Sequence, residues 1–248
     1  MKEVVWAVIP ARFGSTRFPG KPLFEIAGKP LLQWVIEGTK QAKLIDQVLV
    51  ATDDLKIAEL AKKCHVPFVM TDSKLPSGSD RIWAAIQNEK VDILINVQGD
   101  EPLVDGKLID SLIQPMLKDQ TLEMATLAHP ITQEELISTH SVKVIVNQNS
   151  DAIYFSRFAI PYSRESAGSN ISASYKHIGM YAYRKSFLEK YCRASQAEIE
   201  KAESLEQLRA LYLGGRIRVI LTEQRSLGVD TPDDVAKIEK VLLSKRSL

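Results

Sequence analysis

Runs of apolar, strand-favouring residues alternate with stretches of helical apolar spacing over roughly the first hundred residues. The apolar runs are residues 4–9, 47–52, 66–70 and 91–97. The stretches with helical spacing are residues 31–36, 57–63 and 79–90. Continuous apolar strands that alternate with helices are typical of a parallel sheet covered by helices on both faces. This pattern predicts an α/β fold for the first half of the chain.

The pattern changes at about residue 124, where β-rich runs follow one another without a full helix between each pair. These runs are residues 124–130, 142–146 and 152–155, and residues 175–183 and 217–221 are predicted as later strands. We therefore predict a smaller, mixed or antiparallel β extension of the sheet. Residues 163–174 are rich in Ser, Gly and Asn, which predicts a mobile loop.

Two helices are predicted in the last fifty residues. Residues 199–213 have helical apolar spacing at Leu205, Leu208 and Leu211. A final helix is predicted after Thr231, with Pro232 in its first turn.

Length and composition narrow the class of protein. The chain has 248 residues, 45% of them hydrophobic, which suffices for one well-packed domain. Its 32 basic and 31 acidic residues leave a formal charge of +1, so no overall field attracts nucleic acid or membrane. No stretch approaches the roughly 20 apolar residues of a membrane span, and the two cysteines lack metal-type spacing. We expect a cytoplasmic protein with reduced thiols, no nucleic-acid partner and no membrane partner.

A basic, glycine-containing loop follows the first apolar run. Residues 10–22 read PARFGSTRFPGKP and carry Arg12, Arg17 and Lys21. Glycines let backbone N–H groups approach a ligand closely, so such a loop suits a polyphosphate. It is not a Walker A loop, which needs four residues between its glycines, because five separate Gly14 from Gly20. The alternative is an ordinary basic surface turn.

Carboxylates at two places are candidate metal ligands. Asp100 follows Gly99 at the end of an apolar strand, where a magnesium ligand is commonly found, although Gly-Asp-Glu-Pro also suits a simple turn. Asp230 precedes the last predicted helix and is equally suited to capping it. If the fold brings the two together, they form a two-carboxylate metal site.

The carboxyl ends of parallel strands collect further candidates, because ligands bind there in open α/β sheets. The first strand ends at residues 10–12, which include Ala11, and the fourth at residues 98–102, which begin with Gln98. Ser77 and Gly78 introduce a helix, and small residues there suit contact with a ribose or a base. An ordinary capped helix is the favoured reading on local grounds.

Polar residues in the second half suit an anionic, hydroxyl-rich substrate. Arg157 ends a strand, His177 and Tyr181 lie on one face of another strand, and Glu206 and Gln207 belong to the next helix. Arg suits a carboxylate, and His and Tyr suit hydroxyls. The alternative is a structural role for each residue, or exposure to solvent for Glu206 and Gln207.

Nine segments, spread over nearly the whole chain, together resemble one family. They read PARFGSTRFPGKPL, VATDD, SGSDR, NVQGDEP, MATLAHPI, YFSRFAIPY, HIGMYAYR, LEQLRAL and GVDTPDD. The chain resembles the 3-deoxy-manno-octulosonate (Kdo) cytidylyltransferases of Gram-negative bacteria. The resemblance implies a nucleotidyltransferase fold, a homodimer, and the conversion of CTP and Kdo to CMP-Kdo and pyrophosphate for lipopolysaccharide biosynthesis.

The resemblance also implies a role for particular residues. Nucleotide binding is implied for Ala11, Arg12, Ser15, Lys21, Ser77, Gly78, Arg81 and Gln98; catalysis for Arg12, Lys21 and Asp100; Mg²⁺ binding for Asp100 and Asp230; and sugar binding for Arg157, His177, Tyr181, Glu206 and Gln207. Within one domain, residues 1–123 would form the nucleotide-binding half, 124–226 the sugar-binding and dimerisation half, and 227–248 the metal-site segment and last helix.

Three alternatives stay open at this point. Phe13, Phe18 and the sequence SGSDR depart from the usual pattern, which leaves the sugar open between Kdo and its 8-amino analogue. A transferase of similar fold could act on another sugar acid, such as sialic acid, or on a sugar phosphate. A non-catalytic regulator would bind CTP and release no pyrophosphate.

Overall fold

The chain divides into two compact units in a computed structural model that describes residues 2–14, 18–164, 173–225, 228–229 and 232–246. The first unit comprises Met1–Ile113 and Ser226–Leu248, and the second comprises Gln114–Arg225.

The first unit is built on parallel strands that alternate with helices. Its elements, the last of which runs on into the second unit, are β1 (Val5–Ala11), β2 (Glu25–Ile26), β3 (Lys29–Pro30), α1 (Leu31–Thr39), β4 (Gln47–Thr52), α2 (Leu55–Lys63), β5 (Phe68–Met70), α3 (Gly78–Ile86), β6 (Ile93–Asn96) and α4 (Gly106–Lys118). Strand β1 pairs in parallel with β4 on one side and β6 on the other, and β4 pairs in parallel with β5. The predicted parallel sheet is confirmed.

Local sequence explains where two helices of this unit, α2 and α3, begin. Asp54 precedes α2 and accepts hydrogen bonds from the backbone N–H groups of Lys56 and Ile57. Ser77 does the same for α3 by accepting from Asp80 N–H. Each side chain satisfies donors that have no partner in the first turn, so it fixes the first residue of the helix.

The second unit is a mixed sheet with short helices. Its elements are β7 (Met124–Pro130), α5 (Gln133–Ile137), β8 (Lys143–Val146), β9 (Ala152–Ser156), β10 (Tyr175–Arg184), α6 (Lys185–Arg193), α7 (Glu198–Glu203), α8 (Gln207–Tyr212) and β11 (Ile217–Leu221). Strand β7 pairs antiparallel with β10 and parallel with β11, while β8 pairs antiparallel with both β9 and β10. The predicted mixed extension is confirmed, and with it the α/β fold class.

Three predictions about helices need correction. The single helix predicted over residues 199–213 is two helices, α7 and α8, because Ser204 between them adopts a left-handed conformation with φ of 52°. The helix predicted to reach residue 90 ends at Ile86. Helices α4, α5 and α6 were not predicted, and α4 contains Pro115, which obscures the helical pattern.

The last helix, α9 (Pro232–Arg246), begins at proline as predicted. Thr231 and Asp230, which precede it, lie outside the described residues, as do residues 165–172 of the predicted mobile loop. In the part of the chain that the structure describes, no helix is both long enough and apolar enough to cross a membrane.

Candidate active site

The basic loop after β1 folds back on itself. Ala11 is the buried last residue of β1, and Arg12 next to it is exposed. Gly20 N–H donates to the Phe13 carbonyl at 3.0 Å, which closes the loop. Gly20 has a φ of 71°, a left-handed conformation that glycine adopts without strain. A single 3-10 turn, Lys21–Leu23, follows. Ser15 and Arg17 lie outside the described residues.

Lys21 connects three segments that are distant in the sequence. Its ammonium group lies 2.6 Å from Asp100 Oδ2 and donates to the Val229 carbonyl at 2.7 Å. The backbone N–H of Val229 in turn donates to the Asp100 carbonyl at 2.9 Å. The basic loop, the turn after β6 and residues 228–229 therefore meet, as the hypothesis of a shared site requires. Asp230 is the next residue along the chain, but it lies outside the described residues.

Two glycines lie close to the end of β1, and at Gly99 the absence of a side chain is required. A Cβ atom on Gly99 would lie 2.9 Å from the Pro10 carbonyl oxygen, which is too close for a backbone atom. A Cβ on Gly78 would lie 3.4 Å from Pro10 Cγ. The turn that carries half-buried Gln98 and Asp100, and the start of α3, therefore both pack at this strand end.

Arg81 is part of a buried ion pair. Its guanidinium lies 3.0 Å from Asp53 Oδ2, and the two side chains are 3% and 10% exposed. It also donates to the Thr71 hydroxyl at 2.5 Å. The other oxygen of Asp53 accepts the backbone N–H of Phe13 at 3.2 Å. Asp53 thus ties the basic loop to α3, a role that sequence reasoning missed although VATDD stood at a strand end.

Ser77 acts as a helix cap. Its hydroxyl accepts from Asp80 N–H at 3.1 Å and donates to Asp80 Oδ2 at 2.6 Å. The capping role considered from the sequence is confirmed. Contact of Ser77, Gly78 and Arg81 with a nucleotide stays a prediction.

In the second unit, His177 lies in an aromatic cluster. Its ring centroid is 5.0 Å from that of Phe155 and 5.4 Å from that of Tyr181, and its Nε2 lies 2.9 Å from the Thr126 hydroxyl. Removal from water lowers the pKa of His177 to about 3. The imidazole is therefore neutral near pH 7, with one nitrogen that can donate a hydrogen bond and one that can accept.

Arg157, directly after β9, is held by backbone oxygens. Its guanidinium donates to the carbonyls of Glu203 at 2.9 Å, Thr139 at 3.2 Å and Ser204 at 3.4 Å. The buried Lys143 ammonium donates to the carbonyl of Arg157 itself, and burial lowers the pKa of that lysine. These three acceptors are uncharged, and the Glu203 carboxylate accepts a hydrogen bond from the backbone N–H of Arg157 at 2.9 Å.

Glu206 and Gln207 stand at the start of α8 and differ in exposure. Glu206 is exposed, whereas Gln207 is only 4% exposed, so the alternative of a solvated Gln207 is wrong. The Glu206 carbonyl accepts a hydrogen bond from the Tyr191 hydroxyl at 2.9 Å. Further along α8, Arg209 forms two hydrogen bonds to the Glu200 carboxylate, at 2.5 and 2.8 Å. A buried ion pair therefore anchors the helix that carries both candidates.

No cluster of three or more acidic, His or Cys side chains suited to a metal occurs among the described residues. A site made of Asp100 and Asp230 would have only two protein ligands, as Mg²⁺ commonly does when phosphate oxygens and water complete its shell. The magnesium site stays a prediction.

Comparison with known proteins identifies close relatives. A family model described as cytidylyltransferase matches residues 6–218. The 3-deoxy-manno-octulosonate cytidylyltransferase of Bdellovibrio bacteriovorus is 58% identical over 240 residues, which cover 96% of this chain and 97% of the relative. The enzyme of the same name from Trichlorobacter lovleyi is 43% identical, with 94% and 96% covered.

Solved structures give the same result. The fold matches that of a CMP:2-keto-3-deoxy-manno-octonic acid synthetase complexed with CTP, with a TM-score of 0.92 and 40% identity over 98% of this chain and 100% of that one. A cytidylyltransferase from Leptospira borgpetersenii, 20% identical with a TM-score of 0.68, shares the fold. The relatives match this chain over nearly its whole length and at well above 30% identity, and the chain therefore belongs to the 3-deoxy-manno-octulosonate cytidylyltransferase family.

Proposed function

We propose that this protein transfers the cytidylyl group of CTP to Kdo, releases pyrophosphate, and so supplies CMP-Kdo for lipopolysaccharide biosynthesis in the cytoplasm of a Gram-negative bacterium. The observation that carries the proposal is the contact of Lys21 with both Asp100 and Val229. This contact joins a cationic loop to one candidate metal ligand and to the residue before the other.

The transfer forms one phosphorus–oxygen bond and breaks another. The anomeric hydroxyl oxygen of the sugar attacks the α-phosphorus, its proton passes to solvent or a phosphate oxygen, and the bond to the leaving pyrophosphate breaks in line. In such reactions the protein chiefly positions the reactants and neutralises charge. Lys21 and exposed Arg12 are the described cations of the loop that would stabilise the triphosphate and the departing pyrophosphate.

Asp100 has the properties that a magnesium ligand needs. Its carboxylate is 34% exposed and already holds a positive group, the Lys21 ammonium, at 2.6 Å. We propose that Asp100 and Asp230 hold Mg²⁺, which when bound would offset the negative charge of the triphosphate.

We assign the sugar acid to residues of the second unit. Arg157 would attract the carboxylate, since its guanidinium donates to three uncharged carbonyl oxygens in the contacts described above. His177, Tyr181, Glu206 and Gln207 would serve the hydroxyl groups. Neutral His177 and buried Gln207 suit uncharged partners better than a carboxylate.

We also propose that the protein is a homodimer. Phe158 and Tyr162 in the second unit are each 77% exposed, which makes them candidates for a surface that a second copy of the chain covers. Light scattering during gel filtration should give twice the mass of one chain. A Phe158→Glu variant should shift that mass toward the monomer, and a monomeric parent protein would contradict the proposal.

A pyrophosphate-release assay tests the activity. CTP, UTP, ATP and GTP are each combined with Kdo, 8-amino-Kdo and sialic acid. We expect the highest kcat/KM with CTP and Kdo. Preference for 8-amino-Kdo or sialic acid would favour those substrates instead, and CTP binding without pyrophosphate release with any acid sugar would favour the non-catalytic regulator.

The metal assignment has its own test. Asp100→Asn should raise the Mg²⁺ concentration needed for half-maximal activity, because a neutral amide binds the hard cation less well than a carboxylate. Asp72→Asn is the matched control, since Asp72 is exposed and its carboxylate accepts a hydrogen bond from the backbone N–H of nearby Lys74. Identical Mg²⁺ titrations for Asp100→Asn and the parent would remove Asp100 from the metal site.

A further inference from the structure

The Thr126 hydroxyl lies at an irregularity in the pairing of β7 with β10. The register of the two strands shifts between Ile178 and Tyr181, and Thr126 is paired with Tyr181. At this bulge, the Thr126 oxygen lies 2.9 Å from the Met180 carbonyl, 3.2 Å from the Ile178 carbonyl and 2.9 Å from His177 Nε2. A fully buried hydroxyl therefore has three polar neighbours at once.

The chemistry of those neighbours determines where the protons lie. A threonine hydroxyl has one proton to donate and lone pairs to accept with, and a carbonyl oxygen can only accept. If the hydroxyl donates to one of the carbonyls, its lone pair is what faces His177. His177 Nε2 must then carry a proton, since two lone pairs at 2.9 Å would repel each other.

We propose that Thr126 fixes His177 as the tautomer protonated on Nε2, so that Nδ1 presents a lone pair to a hydroxyl group of the sugar acid. Thr126 is thus a positioning residue, and it acts through His177. The substrate half of this inference rests on the proposed function, whereas the tautomer does not.

The surroundings of the ring support this assignment. Phe155 packs edge-on at a centroid distance of 5.0 Å, and Tyr181 lies at 5.4 Å, so the ring has little freedom to rotate. Part of the surface of His177 remains exposed, so a small molecule can reach the residue. Burial keeps the pKa of His177 far below 7, so the ring carries one proton at working pH, and with that proton on Nε2 the Nδ1 atom keeps its lone pair. A fixed acceptor selects a hydroxyl donor and disfavours a carboxylate at the same position.

Nuclear magnetic resonance tests the tautomer directly. In protein labelled with ¹⁵N at histidine, long-range proton–nitrogen correlations at pH 7.5 distinguish a protonated Nε2 from a protonated Nδ1. We expect the Nε2–H pattern for His177 in the parent protein and in Thr126→Ser, which keeps the hydroxyl. Thr126→Val, which has nearly the same shape without the hydroxyl, should give a mixture of tautomers. An Nδ1–H pattern in the parent, or an unchanged pattern in Thr126→Val, would overturn the proposal.

Kinetics test the consequence for the substrate. Thr126→Val should raise the KM for Kdo about five- to tenfold, which corresponds to one weakened neutral hydrogen bond, and leave the KM for CTP unchanged. Thr126→Ser should retain most of the affinity for Kdo. A shifted tautomer with an unchanged KM for Kdo would overturn the acceptor role of Nδ1. Failure of the parent protein to release pyrophosphate with Kdo is a separate result that would count against the proposed function.

Discussion

Two ion pairs of nearly equal length, one in each unit, differ in how far water and ligands reach them. Lys21 and Asp100 are 2.6 Å apart with side chains 15% and 34% exposed, whereas Arg209 and Glu200 are 2.5 Å apart and 5% and 3% exposed. The accessible pair can exchange its partners for a phosphate group or a cation. The buried pair cannot, because separating its charges would leave them without water. The accessible pair is therefore suited to ligand binding and catalysis, and the buried pair is suited to stabilising the fold.

The largest effect on stability should come from breaking the buried pair. Arg209→Ala leaves the Glu200 carboxylate buried without its cation and also removes the guanidinium that lies 4.6 Å from the centre of the Tyr191 ring. Loss of one partner of a buried pair typically costs about 3–5 kcal/mol. We expect a decrease of this size in the free energy of unfolding, measured by urea denaturation.

The matched control is Arg193→Ala, which removes an exposed pair with Glu189 one helical turn away. Exposed pairs contribute little, so urea denaturation of this variant should resemble that of the parent. Similar losses for Arg193→Ala and Arg209→Ala would show that burial is not what distinguishes the two kinds of pair.

Breaking the accessible pair should instead affect catalysis. Lys21→Ala removes a charge that, at about 4 Å from a phosphate oxygen and an effective dielectric of about 20, contributes up to roughly 4 kcal/mol. After screening, this corresponds to a loss of about two to three powers of ten in kcat at about 1.4 kcal/mol per decade. Pyrophosphate release measures the loss, and thermal unfolding should remain close to that of the parent.

Lys29→Ala is the control for this experiment, because Lys29 also forms a partly exposed pair, with Glu37 at 2.6 Å. Its kcat should be that of the parent protein. Unchanged turnover in Lys21→Ala, or an equal loss in Lys29→Ala, would remove Lys21 from the catalytic assignment.

Asp53 provides an intermediate case, since it is mostly buried but touches the basic loop. Asp53→Asn keeps the shape and loses the charge beside Arg81, so the contact with Phe13 N–H should loosen. We expect the KM for CTP to rise about tenfold, as removal of one charge-assisted hydrogen bond implies. Initial rates at varied CTP concentration measure it.

The neighbouring residue offers the same substitution as a control. Asp54 caps α2, and asparagine caps helices about as well as aspartate, so Asp54→Asn should leave the KM for CTP unchanged. Equal KM values for the Asp53 and Asp54 variants would mean that the loop does not depend on Asp53.

Sequence patterns predicted the elements whose apolar spacing is regular. The bounds of β7 and β11 match the predicted runs, because β11 lies between polar Arg216 and Thr222, and β7 begins after Glu123 and ends at Pro130. Sequence patterns did not predict the break between α7 and α8. There Ser204 adopts a left-handed conformation and interrupts an otherwise continuous helical pattern. The spacing of the apolar residues does not show that conformation, and Ser204 N–H ends α7 by donating to the Glu200 carbonyl.

The candidate site was also predicted only in part. Motifs predicted which residues carry charge and hydroxyl groups, and the contact of Lys21 with Asp100 agrees with that prediction. Patterns along the chain could not show that Asp53 holds Arg81 or that Tyr191 reaches the Glu206 carbonyl. Those contacts join residues 28 and 15 positions apart, and their existence depends on the fold rather than on local spacing.

The smallest effect should come from a substitution of Tyr191. This residue contacts both Arg209 of the buried ion pair and Glu206, a candidate sugar-binding residue. Its hydroxyl donates to the Glu206 carbonyl at 2.9 Å, and its ring stacks with Arg209. Tyr191→Phe removes only the hydroxyl, so α8 should stay folded while Glu206 gains freedom. One lost neutral hydrogen bond corresponds to about a fivefold rise in the KM for Kdo, with the KM for CTP unchanged.

Tyr212→Phe, at a residue that is 69% exposed, is the control and should change neither constant. Because burial raises the pKa of the Tyr191 phenol, this hydroxyl remains a donor over the whole working pH range, and the ratio of the two KM values should not vary with pH. If Tyr191→Phe altered the KM for CTP as much as that for Kdo, the buried network would act on the whole molecule, and its separation from the accessible pair would be wrong.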